Sequence, residues 1–406
     1  MPFIAVVGGV YEEYCLRPAW HEVYGSAGRA ASAIASSCGG SAVQLHCYLD
    51  EHADEIIASR CAMEGSSLVA TRVPKICRFR YIHGLARPDI DKPSISYKSL
   101  NVQAPNVLRF GMLEGDSIVN GDWVVYDPQS ARKPAPFHAN GSVANKLAVV
   151  VNEHEASIMT GLRGASGSDL AREVQRLNDA HVVVLKRGPL GALVLDDSHE
   201  SSVPAFATRY VWKLGSGDIF SGHFAARWAL ERRSAAESAE LASKATALYC
   251  LTGGFPRDDA IEGIDAPPVF ASQRFQQGYV PSVYLAGPFF TLAQLWMVEQ
   301  ARTNLQHFGL RVFSPYHDVG YGSAMDVVEQ DLEALGKADI VFAIADGLDS
   351  GTVYEIGYAR ARDIPVVVYS ENEGSEDLKM MEGSGCAICD DYVSAIYQAL
   401  WTAISL

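Results

Sequence analysis

Short runs of Val, Ile and Leu recur along this 406-residue chain, at residues 4–7, 147–151, 182–185, 283–286, 340–344 and 365–369, with longer stretches of helical spacing between them. Continuous apolar runs of strand length, each followed by a helical pattern, are the signature of parallel sheets whose two faces are both covered by helices. The whole chain therefore reads as α/β. At about 150 residues per domain the length favours two units over one, because a single core stops growing well short of it. Between residues 266 and 282 the sequence loses periodicity and is punctuated by Pro and Gly, which sets the expected boundary between a first domain at 1–270 and a second at 281–406. The irregular stretch 92–106 lies inside the first domain and reads as a loop or an edge hairpin. No fixed-period repeat and no low-complexity tract interrupts this pattern.

A formal net charge of -15 opposes long-range attraction to nucleic acid or an anionic membrane. Small-molecule ligands remain compatible, since a site can be locally positive. The opening Met-Pro-Phe-Ile-Ala-Val-Val-Gly-Gly has no basic region before its apolar run and reads as a buried strand, and no apolar run is long enough to span a bilayer. The expectation is a cytoplasmic protein. Its eight cysteines are then free thiols by default. Cys386 and Cys389 form one CxxC pair with no second pair or nearby histidine, so no metal site is expected, and Asn140-Gly-Ser is a chance glycosylation match.

The most informative stretch runs from Glu329 to Ala359 and reads as helix, strand, loop, helix. It puts Asp331 on the first helix, Asp346 and Asp349 just past the strand, and Glu355 in the first turns of the second helix. Ligands of open α/β sheets bind outside the carboxyl ends of the strands, where these acids gather. Cleavage of a sugar-to-nitrogen bond builds positive charge on the anomeric carbon, which a carboxylate can attack or stabilise, while a second acid protonates the departing base. Spacing alone supports a plainer reading equally well: Asp349 and Ser350 cap a helix, and an acid early in that helix complements its dipole.

Three blocks go further: Tyr284-Leu-Ala-Gly-Pro-Phe-Phe, Gln330-Asp-Leu with Ala338-Asp-Ile-Val, and Asp349-Ser-Gly-Thr-Val-Tyr-Glu-Ile-Gly-Tyr-Ala. They resemble the nucleoside 2-deoxyribosyltransferase family and its relatives, the 2-deoxynucleoside 5-phosphate N-hydrolases, over about 120 residues in matching order. The resemblance implies a flavodoxin- or Rossmann-like parallel sheet flanked by helices and no cofactor. It makes Glu355 the nucleophile, Tyr284 the residue that positions it, Asp331 a contact to base or sugar that helps protonation, and Asp349 a base-recognising acid. Gly287, Pro288, Phe289, Asp346, Ser350, Gly351 and Thr352 would line the substrate. Asp349 favours an unphosphorylated nucleoside, while Ser350 and Thr352 leave a nucleotide open. A neighbouring subunit often completes such pockets, so the resemblance implies a homo-oligomer, with Met381 in Lys379-Met-Met as the candidate contribution. A surface loop with a buried Met is the alternative there.

The first domain carries Gly8-Gly9, a Gly-rich helix start at Gly25-Ser-Ala-Gly, Val151-Asn-Glu-His-Glu, Lys186-Arg-Gly-Pro-Leu-Gly-Ala and Leu214-Gly-Ser-Gly-Asp-Ile-Phe-Ser-Gly. A glycine turn at a helix start offers N–H groups to an anion, and an acid directly after it can accept a hydroxyl proton. These pieces resemble the PfkB, or ribokinase-like, carbohydrate and nucleoside kinases, which implies an α/β sandwich with a reduced or altered lid. In that family Asp218 is the base, Gly215, Ser216 and Gly217 hold the anion, and Asn152 and Glu155 organise ATP and Mg2+. Departures stand at Trp212-Lys213, where the family has Asp-Thr, at Ala30 in place of a sugar-binding Asn, and at Glu13 in place of an Asp. Three functions follow as expectations: cleavage or transfer of a nucleoside or nucleotide N-glycosidic bond, a PfkB-type kinase acting on a sugar or nucleoside, or a nucleotide-degrading sensor or defence protein gated by its first domain.

Overall fold

The computed structural model describes residues 2–130, 132–197, 199–320 and 322–406. The chain divides into two compact units, one of residues 1–208 and 212–268, the other of 209–211 and 269–406.

The first unit is built on a ten-stranded sheet among its described residues. Its path runs His199–Val203, Ala192–Asp196, Val182–Lys186, Val143–Asn152, Ser117–Asp127, Asn106–Phe110, Ile4–Val7, Val43–Leu49 and Ser67–Arg72, and Leu100–Gln103 pairs with Ser117–Asp127 off that path. The pairings are parallel except at the edge formed by Val182–Lys186, Ala192–Asp196 and His199–Val203. Ile4, Ala5, Val6 and Val7 are fully buried, as a central strand covered on both faces requires. One face packs on the helices Gly25–Cys38, Ser216–Ala225 and Ala235–Thr252. The other packs on Glu153–Thr160 and Gly167–Asn178.

The first unit also holds a separate four-stranded sheet, in the order Trp20–Val23, Glu12–Arg17, Arg78–His83 and Asp89–Asp91. Its strands alternate, as a half-covered sheet does: Glu13 and Cys15 are buried while Tyr14 and Leu16 face solvent. The expected loop at 92–106 contains the strand Leu100–Gln103 and leads into Asn106–Phe110.

The second unit is a five-stranded, all-parallel sheet in the order Arg311–Phe313, Ser282–Ala286, Ile340–Ile344, Val366–Tyr369 and Ala387–Cys389. In sequence order this is 2-1-3-4-5, so the winding reverses between Ser282–Ala286 and Ile340–Ile344, and the crevice at such a switch point is where ligands bind. Asp339 anchors the start of that pair by accepting from Ser282 N and Oγ, each at 2.7 Å, and from Tyr279 Oη at 2.8 Å. No helix among the described residues is long and apolar enough to cross a membrane. No group of three His, Cys, Asp or Glu side chains among them is arranged to hold a metal, and Cys386 and Cys389 are free thiols.

Candidate functional site

In the second unit the switch point brings three of the expected residues together. Tyr284, in the middle of Ser282–Ala286, stacks on Phe313 at 5.6 Å and directs its hydroxyl to Glu355 Oε1, to which it donates at 2.5 Å. Glu355 stands in the second turn of the helix Ser350–Arg360. Burial raises its carboxyl to about 7; the Tyr284 hydrogen bond pulls the other way, and the charges of Asp331 and Asp349 add to the rise. Burial and the facing Glu355 carboxylate push the Tyr284 phenol up, so it remains a donor. Asp331, on the helix Ala324–Lys337, is itself raised by burial, and its Oδ1 is buried with no hydrogen-bond partner. The arrangement is a half-buried carboxylate held by a phenol beside an acid whose unsatisfied oxygen faces the cost of burial unless it holds a proton or meets a ligand.

Gly287 ends the first strand where a Cβ would come within 3.1 Å of Ile344 Cβ, so only glycine keeps the two strand ends this close without displacement. Pro288 is buried behind it, and Phe289 rests on Phe290 at 5.2 Å and Tyr316 at 5.4 Å, forming an aromatic ledge.

Asp349, by contrast, caps the helix: its Oδ2 accepts from Thr352 N at 3.0 Å and Thr352 Oγ1 at 3.2 Å. The expected cap is thus present at Asp349, and Glu355 of the same helix stands in the cluster with Tyr284 and Asp331. The Thr352 hydroxyl is engaged by that cap and buried, while Ser350 and Gly351 stay exposed on the first turn. Asp346 is committed to the loop, accepting from Ser370 Oγ at 2.8 Å, Asn372 N at 3.0 Å and Asn372 Nδ2 at 3.1 Å. Met381 corrects the expectation of a residue offered to a neighbour: on the helix Ser375–Gly383 it turns inward and packs with Leu378, Ile356 and Val368, because that face covers the sheet. The outward methionine is Met380.

In the first unit Gly215, at φ 76°, starts the helix Ser216–Ala225 and sets Asp218 in its first turn. The turn uses part of its own donor set, Ser216 N bonding Lys213 O and Asp218 N bonding Gly215 O, which narrows the anion cradle expected at Gly215, Ser216 and Gly217. Asp218 is not free either. Oδ2 accepts from Arg29 Nη1 at 2.8 Å and Oδ1 from Gln129 Nε2 at 2.6 Å. Asn152 and Glu155 close a capping box on each other at the start of Glu153–Thr160. Glu155 is raised by burial and by the neighbouring Asp127, whose Oδ2 accepts from Lys186 Nζ and Ser221 Oγ, each at 2.7 Å. Magnesium sits on one or two carboxylates plus phosphate oxygens. Two buried carboxylates sharing one lysine carry surplus negative charge that such a cation would offset, so the residues present fit a magnesium–nucleotide.

Arg29 is the residue at this candidate site that sequence reasoning missed. A signal was present: it is the one charged side chain in the small-residue run Gly25–Ala35, and an Arg buried on a helix needs acidic partners. Those partners, Glu13 and Asp218, are 16 and 189 positions away in sequence, beyond the reach of local pattern.

At the sequence level no curated protein matches the chain. Among solved structures, a fructokinase from Vibrio cholerae O395 in a fructose, ADP and calcium ion bound form is 13% identical with a TM-score of 0.50, over 64% of this chain and 98% of that one. A ribokinase from Giardia lamblia is 15% identical with a TM-score of 0.49, over 64% and 99%. The first likeness shows the fold of the first unit, which is ribokinase-like. The chain thus joins a segment matching the pfkB family carbohydrate kinases, residues 125–256, to one matching the nucleoside 2-deoxyribosyltransferases, residues 283–387.

Proposed function

We propose that the second unit cleaves or transfers the N-glycosidic bond of a nucleoside or nucleotide through a covalent intermediate on Glu355. The observation that carries this reading is the Tyr284–Glu355 hydrogen bond beside Asp331, whose buried Oδ1 has no hydrogen-bond partner. A glutamate ordinarily ionises fully in water; here one is half-buried, held in place by a phenol and surrounded by negative charge, which is the environment of a nucleophile poised near neutrality.

The steps balance without a cofactor. Glu355 Oε attacks C1′ of the sugar, the C1′–N bond breaks with its electron pair going to the base, and Asp331 supplies the proton that neutralises the base. Water or a second base then attacks C1′ and gives up its proton to the Asp331 carboxylate, the ester bond to Glu355 breaks, and both carboxyl groups return to their starting states. Phe289 and Tyr316 provide the apolar surface on which a flat base can stack. Asp349, its charge beside the site, favours a nucleoside without a 5′-phosphate. Oligomerisation belongs to the same reading, through exposed side chains such as Phe290 and Leu292 rather than Met381. The test is chromatography of free base after incubation with a panel of nucleosides, nucleotides and NAD. The reading fails if no substrate releases base, or if Glu355→Gln releases it as fast as the wild type.

A second reading, supported by the ribokinase-like fold, is phosphoryl transfer by the first unit to an alcohol. Asp127 and Glu155 would hold magnesium and Lys186 the phosphates, and the metal–nucleotide supplies the phosphoryl group when bound. Asp218 would take the hydroxyl proton once its bond to Arg29 is exchanged. Loss of ATP consumption in Asp218→Asn tests this reading.

A further inference from the structure

Arg29 reaches from the helix Gly25–Cys38 into the place where the acceptor of the first unit would meet Asp218. It is 1% exposed, yet it lies among small residues rather than on a surface. Nη2 donates to Glu13 Oε2 at 2.6 Å and Nη1 to Asp218 Oδ2 at 2.8 Å, so one guanidinium joins the small sheet to the start of Ser216–Ala225. Trp20 and Tyr24 flank it, their ring centroids 5.9 and 5.4 Å away. At Gly215 a Cβ would fall 2.1 Å from Arg29 Nε, so any other residue there would expel the guanidinium. Nε itself is buried with no acceptor.

We propose that Arg29 makes this pocket selective for an alcohol bearing its own carboxylate or phosphate group, which replaces Asp218 on the guanidinium. The argument is one of exchange. A neutral sugar that separates Arg29 from Asp218 leaves a buried cation short of a counter-charge, and a hydroxyl is a weaker partner than a carboxylate. An anionic group restores a charge-assisted bond and matches the planar fork of donors, including the orphaned Nε. Lys213, whose Nζ donates to Ser216 Oγ at 2.9 Å, and Lys186 stand near the same helix start and offset the added negative charge. Once freed, Asp218 accepts the proton of the acceptor hydroxyl. The hydroxyl oxygen forms a bond to the terminal phosphorus of a nucleoside triphosphate, and the bridging P–O bond breaks with its electrons leaving on the diphosphate.

The transfer step rests on the kinase reading, whereas ligand selection does not, so the two are measured separately on the full chain. Calorimetry with D-ribose, D-ribose 5-phosphate and D-gluconate reads selection, the last two separating phosphate from carboxylate. Expected is binding of one anionic ligand at least about tenfold tighter than ribose, with Arg29→Lys, which keeps a cation between Glu13 and Asp218, losing most of that ratio. Equal affinity for all three, no binding of either anion, or a ratio unchanged in Arg29→Lys overturns the proposal. Selective binding with no ADP formed from ATP-Mg supports the selection while refuting the kinase reading. Should Arg29→Lys fail to fold by circular dichroism, the wild-type ratio decides alone.

Discussion

Across the switch point of the second sheet, the Tyr284 hydroxyl donates to Glu355 Oε1 at 2.5 Å, joining the first strand of the unit to the helix after the third. A hydrogen bond to a charged group contributes about 1.5–3 kcal/mol, so Tyr284→Phe should slow base release by roughly 10- to 160-fold. It should also raise the pH at which release is half-maximal, because this bond favours the ionised carboxylate. A slower rate with an unmoved pH midpoint would mean that the phenol serves packing alone.

The pH dependence follows from Glu355 itself. As the proposed nucleophile, Glu355 must be ionised, and burial holds its carboxyl at about 7, so the rising limb of single-turnover base release should be set near that pH, with a falling limb where Asp331, the proposed proton donor, ionises. Asp331 and Asp349 both push this carboxyl upward, Asp331 the more. Asp349→Asn retains a capping oxygen and should move the midpoint down with little loss of rate. Asp331→Asn should move it further down yet lower the maximum rate and abolish the falling limb, since the proposed proton donor is lost. A pH–rate profile of the three proteins separates the two acids.

Stability should run opposite to activity. The folded-state carboxyl of Glu355 lies above its usual range, so folding favours the protonated form: the benefit is present at low pH and is lost as pH rises from about 4.5 to about 7. Allowing for partial exposure, Glu355→Gln should stabilise the second unit by about 1–3 kcal/mol above pH 7 and by much less at pH 4. Thermal melts at the two pH values check the sign. A variant less stable than wild type at pH 8 would show that the carboxylate is solvated or paired, contrary to the site described.

How much of this was legible in sequence follows from the range of the forces involved. The strands at 283–286 and 340–344 are written as local apolar runs, and their central place in the sheet makes them buried on both faces. Glu355 and Tyr284 were legible as candidates because each stands in a contiguous motif of its own, though their meeting across 71 positions rests on the parallel register of the strands. Asp346 was not: its partners Ser370 and Asn372 arrive from the end of the next strand, and nothing near Asp346 announces them. Asp218 was read from its glycine turn, while the Arg29 bond that occupies it spans 189 positions and appears only once two helices pack. Local chemistry names candidates; long-range pairing decides which of them are free.

The two methionines of Lys379-Met-Met provide a sharp contrast on one helix. Met381 is 6% exposed and Met380 is 83% exposed. Truncating a buried methionine removes transfer energy and leaves a cavity, so Met381→Ala should destabilise the second unit by about 2–5 kcal/mol. Met380→Ala should change stability by less than about 0.5 kcal/mol. If a second copy of the chain approaches this helix, Met380 is the side chain that meets it, and its loss should weaken association in sedimentation while leaving the melt unchanged. A Met381→Ala protein with wild-type stability but impaired base release would return that residue to the pocket and overturn its assignment to the core.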